Sequence, residues 1–122
     1  MKNDKNIPSY FAQVFAVTRK IPRGRVTNYG AIANFLTLGS ARMAGWALNK
    51  AYLAEPAVPA HRVVNRKGEL SGRNYFSTPT MMQELLEAEG ITVEKDKVVD
   101  FKQHFWDPSL ELIDDDFLKG LM

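Results

Sequence analysis

The residues best placed to do chemistry lie in the run Val58-Pro59-Ala60-His61-Arg62-Val63-Val64-Asn65. Proline fixes its own φ and biases Val58 toward an extended conformation. His61 and Arg62 follow, then an apolar pair able to start a strand. A stiff turn that delivers a small residue beside a histidine is a way to set a reactive group into a pocket. Here the small residue is Ala60, whose methyl group has no chemistry. The chain contains no cysteine, so it offers no thiolate nucleophile, no disulfide and no thiolate-held metal. Two histidines, His61 and His104, are too few for a zinc site without carboxylate help. Neither a metal nor a cofactor is expected.

The elements that must position this loop are legible in the spacing. Ser9 caps a first helix in which Phe11, Val14, Phe15 and Thr18 recur at helical intervals. That helix ends before Ile21-Pro22, and Pro22-Arg23-Gly24-Arg25 reads as a turn. Thr27 is the expected N-cap of a second helix that turns Ile32, Ala33, Phe35 and Leu36 inward. Gly39-Ser40 interrupts it, and Ser40 caps a third helix running to about Ala51. Two short helices joined by a tight glycine-containing turn are a helix-turn-helix signal. Val63-Val64 and Glu69-Leu70, around Asn65-Arg66-Lys67-Gly68, read as a hairpin, a wing beside the helices.

Thr80 to Glu89 is helical, with Met81, Met82, Leu85 and Leu86 as its apolar stripe and Gly90 closing it. Ile91 to Val93 and Val98 to Phe101 form a last pair of short strands around Lys95-Asp96-Lys97, and Phe105 and Trp106 read as a C-terminal anchor. The fold class expected is mostly α with short β, a winged helix-turn-helix DNA-binding domain over residues 1–108. Residues 109–122 are expected as an acidic C-terminal tail, either mobile or a loosely docked helix.

Bulk properties bound the function. With 122 residues, 45% hydrophobic and 25% charged, the chain supports one modest core. No apolar run approaches membrane-spanning length, and the polar start MKNDKN is no signal peptide, so a cytoplasmic monomer is expected. The net charge of +2 hides a division. From Arg19 to Arg73 the cations Arg19, Lys20, Arg23, Arg25, Arg42, Lys50, Arg62, Arg66, Lys67 and Arg73 face only Glu55 and Glu69. From Asn74 onward acidic residues dominate, ending in the run Asp114-Asp115-Asp116. Such a division is either the footprint of a protein that meets a phosphate backbone with one face, or a solvated surface whose charges segregate. On the first reading, Arg23 and Arg25 are expected to hold phosphates.

Four blocks in order decide between these readings. PAHRV resembles the PCHRV motif of the O6-alkylguanine-DNA alkyltransferases, with Ala60 where those enzymes carry the alkyl-accepting cysteine. TNYGAIANFL resembles the family's tyrosine-bearing helix, GSARMAGWAL its recognition helix, and LLEAEG the helix end bearing a structural glutamate. The blocks keep their spacing from about Phe11 to Val93, and His104-Phe105-Trp106-Asp107-Pro108 resembles the ending of the cysteine-free, alkyltransferase-like branch.

The resemblance implies roles, each weighed against a plainer one. Arg42 is either a solvated surface arginine or the finger that fills the duplex when a nucleotide is extruded; the small residues Ala41, Ala44, Gly45 and Ala47 would let its helix approach a minor groove. Tyr29 is either half-buried packing or an aid to rotating the base out. His61 and Glu89 match a base and its orienter, but without a nucleophile they and Arg62 are expected to be structural, and no residue is expected to be catalytic. Arg66 and Lys67 form a basic turn near the lesion; relatives carry arginine at the position of Lys67, and a lysine does not stack as a guanidinium does. Thr27, Trp46 and Ser71 complete the expected DNA- and lesion-binding set with Ala60, Trp46 being either core or an added DNA contact.

The implied function is non-enzymatic recognition of O6-alkylguanine in double-stranded DNA by nucleotide flipping, with the lesion passed to nucleotide excision repair proteins. The alternatives are a residual transferase working without cysteine and a winged-helix transcription regulator.

Overall fold

Residues 7–113 are described by the structure, a computed structural model. Helix α1 (Tyr10–Lys20) buries Phe11, Val14, Phe15 and Val17. Thr18 is buried with them because its Oγ1 donates to the carbonyl of Val14 four residues back, at 2.7 Å. Ile21, extended before Pro22, ends the helix. Ser9 stands at the N-cap as expected, without a side-chain capping bond.

Helix α2 (Tyr29–Phe35) is capped by Asn28, whose Oδ1 accepts from the N–H of Ala31 at 2.7 Å. The expectation that Thr27 caps it is corrected. Thr27 belongs with Asn28 to strand β1 (Thr27–Asn28), which pairs in parallel with β2 (Val63–Val64) in the register Thr27 to Val63 and Asn28 to Val64. The pairing draws the Thr27 side chain fully inside, where its Oγ1 finds no hydrogen-bond partner.

The turn after α2 forms without glycine in the left-handed position. Thr37 takes φ 54°, its N–H reaches the carbonyl of Asn34, and the N–H of Leu38 reaches that of Ala33 at 2.8 Å. These crossed bonds cap the helix C-terminus. Helix α3 (Ala41–Asn49) then packs on α1 and α2 through Ala44, Ala47 and Leu48. This first core also holds Ile32, Val63 and Trp106.

The expected wing is corrected in its partner. Val63 faces the first core and Val64 a second one, formed with Val26, Leu70, Met82, Leu86, Ile91, Val93 and Val98. A strand buried on both sides suits the parallel pairing with β1 better than a half-exposed hairpin. The basic turn does form: Asn65 Oδ1 accepts from the N–H groups of Lys67 and Glu69, and Gly68 takes φ +83°. Its return strand, however, bridges from Glu69 to Lys97.

Helix α4 (Met81–Ala88) buries Met82 and Leu86. Beyond Gly90, strands β3 (Val93–Glu94) and β4 (Lys97–Val98) pair antiparallel. Lys95 and Asp96 join them, both at positive φ, as a two-residue hairpin loop requires. A short helix that the sequence reading missed, α5 (Phe101–His104), leads to Phe105, which bridges to Val26, and to Trp106, the buried anchor expected. Pro108 opens α6 (Pro108–Glu111) under an Asp107 cap, and Leu112 is buried in the first core. Residues 108–112 thus follow the docked-helix alternative. Asp114-Asp115-Asp116 lies outside the described residues.

Candidate nucleic-acid interface

Between the C-terminal end of α3 and the start of α4 lies an open cavity of about 280 Å³. Tyr29 and Ala60 are on its wall, with Val58, Gly72, Tyr75, Met81 and Met82. Ala60 opens a single 3-10 turn, Ala60–Arg62, directly after Pro59. The proline therefore brings a methyl group, and nothing larger, to the pocket. Burial raises the pKa of the Tyr29 phenol, against a lowering contact with the hydroxyl of Ser71. A Cβ at Gly72 would come within 2.9 Å of the Tyr29 oxygen, so this glycine allows the phenol its place.

Behind the pocket, Glu89 gathers the loop. Its carboxylate accepts from Arg62 Nη2 at 2.8 Å, from the Gly24 N–H at 2.9 Å, and contacts His61 Nε2 at 2.6 Å. Burial alone would raise its pKa; the bonds from Arg62, Gly24 and His61 pull it down to about 2. Burial lowers the pKa of His61, against the opposing pull of Glu89. Arg62 also donates to the carbonyl of Ile21 at 2.8 Å, tying the end of α1 to the same cluster. The residues read as a structural set are therefore together, and they do not line the cavity.

Helix α3 carries the exposed candidates. Arg42 and Trp46 are both exposed, and at a spacing of four residues they share one face, away from Ala44, Ala47 and Leu48. Trp46, at 52% exposure, is not core. A second concavity, lined by Tyr29, Gly30, Ala41, Asn65, Arg66, Lys67 and Glu69, joins the first turn of α3 to the basic turn. Tyr29 is the wall common to both hollows. Arg66 and Lys67 thus lie beside the first turn of α3, outside the lining of the cavity at Ala60. Thr27, expected to touch DNA, is corrected: its buried side chain meets no outer surface.

Arg23 and Arg25, expected to hold phosphates, also staple the fold, Arg23 from an exposed position and Arg25 from a half-buried one. Arg23 donates to the carbonyl of Ala88 at 2.7 Å, and Arg25 to those of His104 and Phe105. Arg19 and Arg73 likewise donate to the backbone carbonyls of Pro56 and Leu70. Charge counting could not separate such staples from outward cations, since both raise the local positive charge. Tyr52 was missed. It is 76% exposed at the cavity's edge with Lys50 Nζ 6.0 Å from the centroid of its ring.

A short helix pair with an exposed arginine on its second helix, set against a cavity and a basic turn, defines a helix-turn-helix DNA-binding domain of the alkylguanine-transferase type. The chain belongs to the family of the 6-O-methylguanine DNA methyltransferase DNA-binding domain, whose sequence model matches residues 9–91. It is 30% identical over 104 residues to Alkyltransferase-like protein 1 of Schizosaccharomyces pombe, spanning 81% of this chain and 95% of that protein. It is 36% identical over 103 residues to a DNA base-flipping protein of Vibrio parahaemolyticus, spanning 81% and 97%. The fold matches the crystal structure of S. pombe Atl1 in complex with damaged DNA containing O6-carboxymethylguanine, with a TM-score of 0.72 and 28% identity over 84% of this chain and 98% of that one. Among the described residues no helix is long and apolar enough to cross a membrane.

Proposed function

We propose that this chain recognises O6-alkylguanine in duplex DNA without converting it, acting as a monomer that turns the damaged nucleotide out of the stack and lodges it beside Ala60. The lesion is then handed to nucleotide excision repair. One observation carries the reading: a cavity with Tyr29 and Ala60 on its wall opens beside α3, and Ala60 stands where the resemblance places the enzymes' cysteine. Extrusion of a base costs a few kcal/mol, least for a lesion that already pairs badly. Arg42 offsets that cost by entering the vacated stack, and Trp46 on the same helix face packs against the groove. Arg66, Lys67 and Ser71 lie toward the flipped nucleotide and its flanking phosphates.

His61, engaged by Glu89, has no group at Ala60 to activate, which argues against a residual transferase. A regulator built only to present two helices and a wing has no use for the cavity, which argues against the other alternative. Competition between otherwise identical duplexes with and without O6-methylguanine tests the proposal. Preference for the modified duplex, lost on Arg42→Ala, is the expected result; equal binding to both overturns it.

A further inference from the structure

The C-terminal segment is acidic in composition, yet it delivers two cations to the basic turn. A concavity of about 450 Å³ is lined by Lys67, Lys97, Val98, Asp100, Phe101, Lys102 and Gln103. Lys67 comes from the turn between β2 and Glu69, Lys97 from β4 and Lys102 from α5. All three are exposed, and none makes an ion pair among the described residues. Asp100 is the one carboxylate in the lining. Glu69 is nearby through its bridge to Lys97, but its carboxylate is engaged by the amide of Asn65 at 2.8 Å.

The arrangement is held from beneath. The N–H of Val98 donates to the carbonyl of Gly68 at 2.9 Å. A Cβ at Gly68 would stand 3.0 Å from the ring of Phe101, so the turn lies directly on α5. Gly68 also takes φ +83°, a conformation other residues rarely adopt. Three lysines from three separate elements are thus fixed around one hollow. Lys67 also lines the concavity that holds Ala41 and Tyr29, so the two hollows share a wall.

We infer that Lys97 and Lys102 extend the DNA-binding face beyond the helix-turn-helix, forming with Lys67 a track for the phosphate backbone of duplex flanking the flipped nucleotide. The inference rests on the proposed DNA binding and adds a surface to it. The chemistry fits a backbone and not a base: ammonium groups are point charges that neutralise phosphates without reading sequence. Lys95 supplies an internal control. It lies across the hairpin, lining a different hollow with Glu69, Ser71, Arg73 and Asp96.

The test is the salt dependence of binding to an undamaged duplex and to one carrying O6-methylguanine, for the full chain and for Lys97→Gln/Lys102→Gln. Each lost phosphate contact removes about 0.9 from the log-log slope, so the double variant should lower it by about 2 and weaken both duplexes roughly ten- to a hundredfold near 0.1 M salt. Preference for the lesion should be retained, and Lys95→Gln should behave as the unaltered chain. An unchanged slope in the double variant, or an equal drop with Lys95→Gln, overturns the track. Absence of duplex binding by the unaltered chain overturns the DNA-binding proposal itself, a distinguishable result. Thermal melting of each variant separates a lost contact from a lost fold.

Discussion

His61 Nε2 lies 2.6 Å from Glu89 Oε2, and that carboxylate also takes hydrogen bonds from Arg62 and from the backbone of Gly24. An ionised carboxylate only accepts, so Nε2 must carry the proton. The ring nitrogen turned toward Glu89 is therefore a donor, and the pair holds the loop that ends at Ala60. The cluster links three distant segments: the turn after α1, the loop before β2 and the end of α4. Its worth is to stability, and it gives the first predictions.

Acid should weaken the fold in two stages. Burial holds the pKa of His61 below its ordinary value, so the unfolded chain binds this proton first as pH falls below about 6.5, and stability drops there. Glu89 is held at about 2; its contribution is complete above about 4.3, the unfolded value, and is lost as pH falls toward about 2. Denaturant midpoints measured from pH 8 to pH 2 should fall across both windows. Glu89→Gln should abolish the lower limb, and an unaltered lower limb in that variant would contradict the assignment.

Glu89→Gln should itself cost about 1.5–3 kcal/mol at neutral pH, since it takes the charged partner from the half-buried Arg62 guanidinium. Urea unfolding measures this directly. A cost under about 1 kcal/mol would mean that solvent already screens the cluster.

Arg25 and Arg42 should separate stability from recognition. Arg25→Ala removes two bonds to the carbonyls of His104 and Phe105 and should lower the melting temperature while the folded protein binds DNA as before. Arg42→Ala should change stability by no more than about 0.5 kcal/mol, because the residue is exposed, yet abolish preference for the lesion. A fluorescent base analogue at the lesion position reports extrusion. If Arg42→Ala flips that base as well as the unaltered chain does, the finger reading fails.

Much of this was legible in the residues because local rules carried it. Helical spacing placed α1 and α4, Gly39-Ser40 located the break before α3, and Pro59 marked the loop that brings Ala60 to the cavity. The parallel pairing of Thr27-Asn28 with Val63-Val64 was not legible, since two-residue strands leave no periodic trace and their partners lie far apart in sequence. That pairing is also why the cap shifted from Thr27 to Asn28. The arginine staples were hidden for a related reason: a guanidinium bonded to a distant backbone carbonyl looks, in sequence, like any surface cation. The sequence resemblance alone aligned His61 with Glu89, and the structure supplies their distance.

Trp46 offers an optical readout of binding. The chain has two tryptophans, and Trp106 is buried at 4% exposure, so a change in emission on adding duplex reports Trp46. Emission should shift and quench on binding, and Trp46→Ala should weaken affinity about tenfold, roughly 1.4 kcal/mol. Unchanged emission at saturating DNA would place the indole outside the interface.

Ala60→Cys would set a thiol beside His61, yet transfer should be weak or absent, because misplacement by about 1 Å can cost on the order of a hundredfold in rate. The decisive measurement uses the unaltered chain. It is incubated with a duplex carrying radiolabelled O6-methylguanine beside an excess of unmodified competitor; retained duplex is counted, then label on protein after denaturation. The expected result is selective retention of the labelled duplex with all label still on DNA. Label transferred to the cysteine-free protein, or retention no better than that of the competitor, would contradict recognition without conversion.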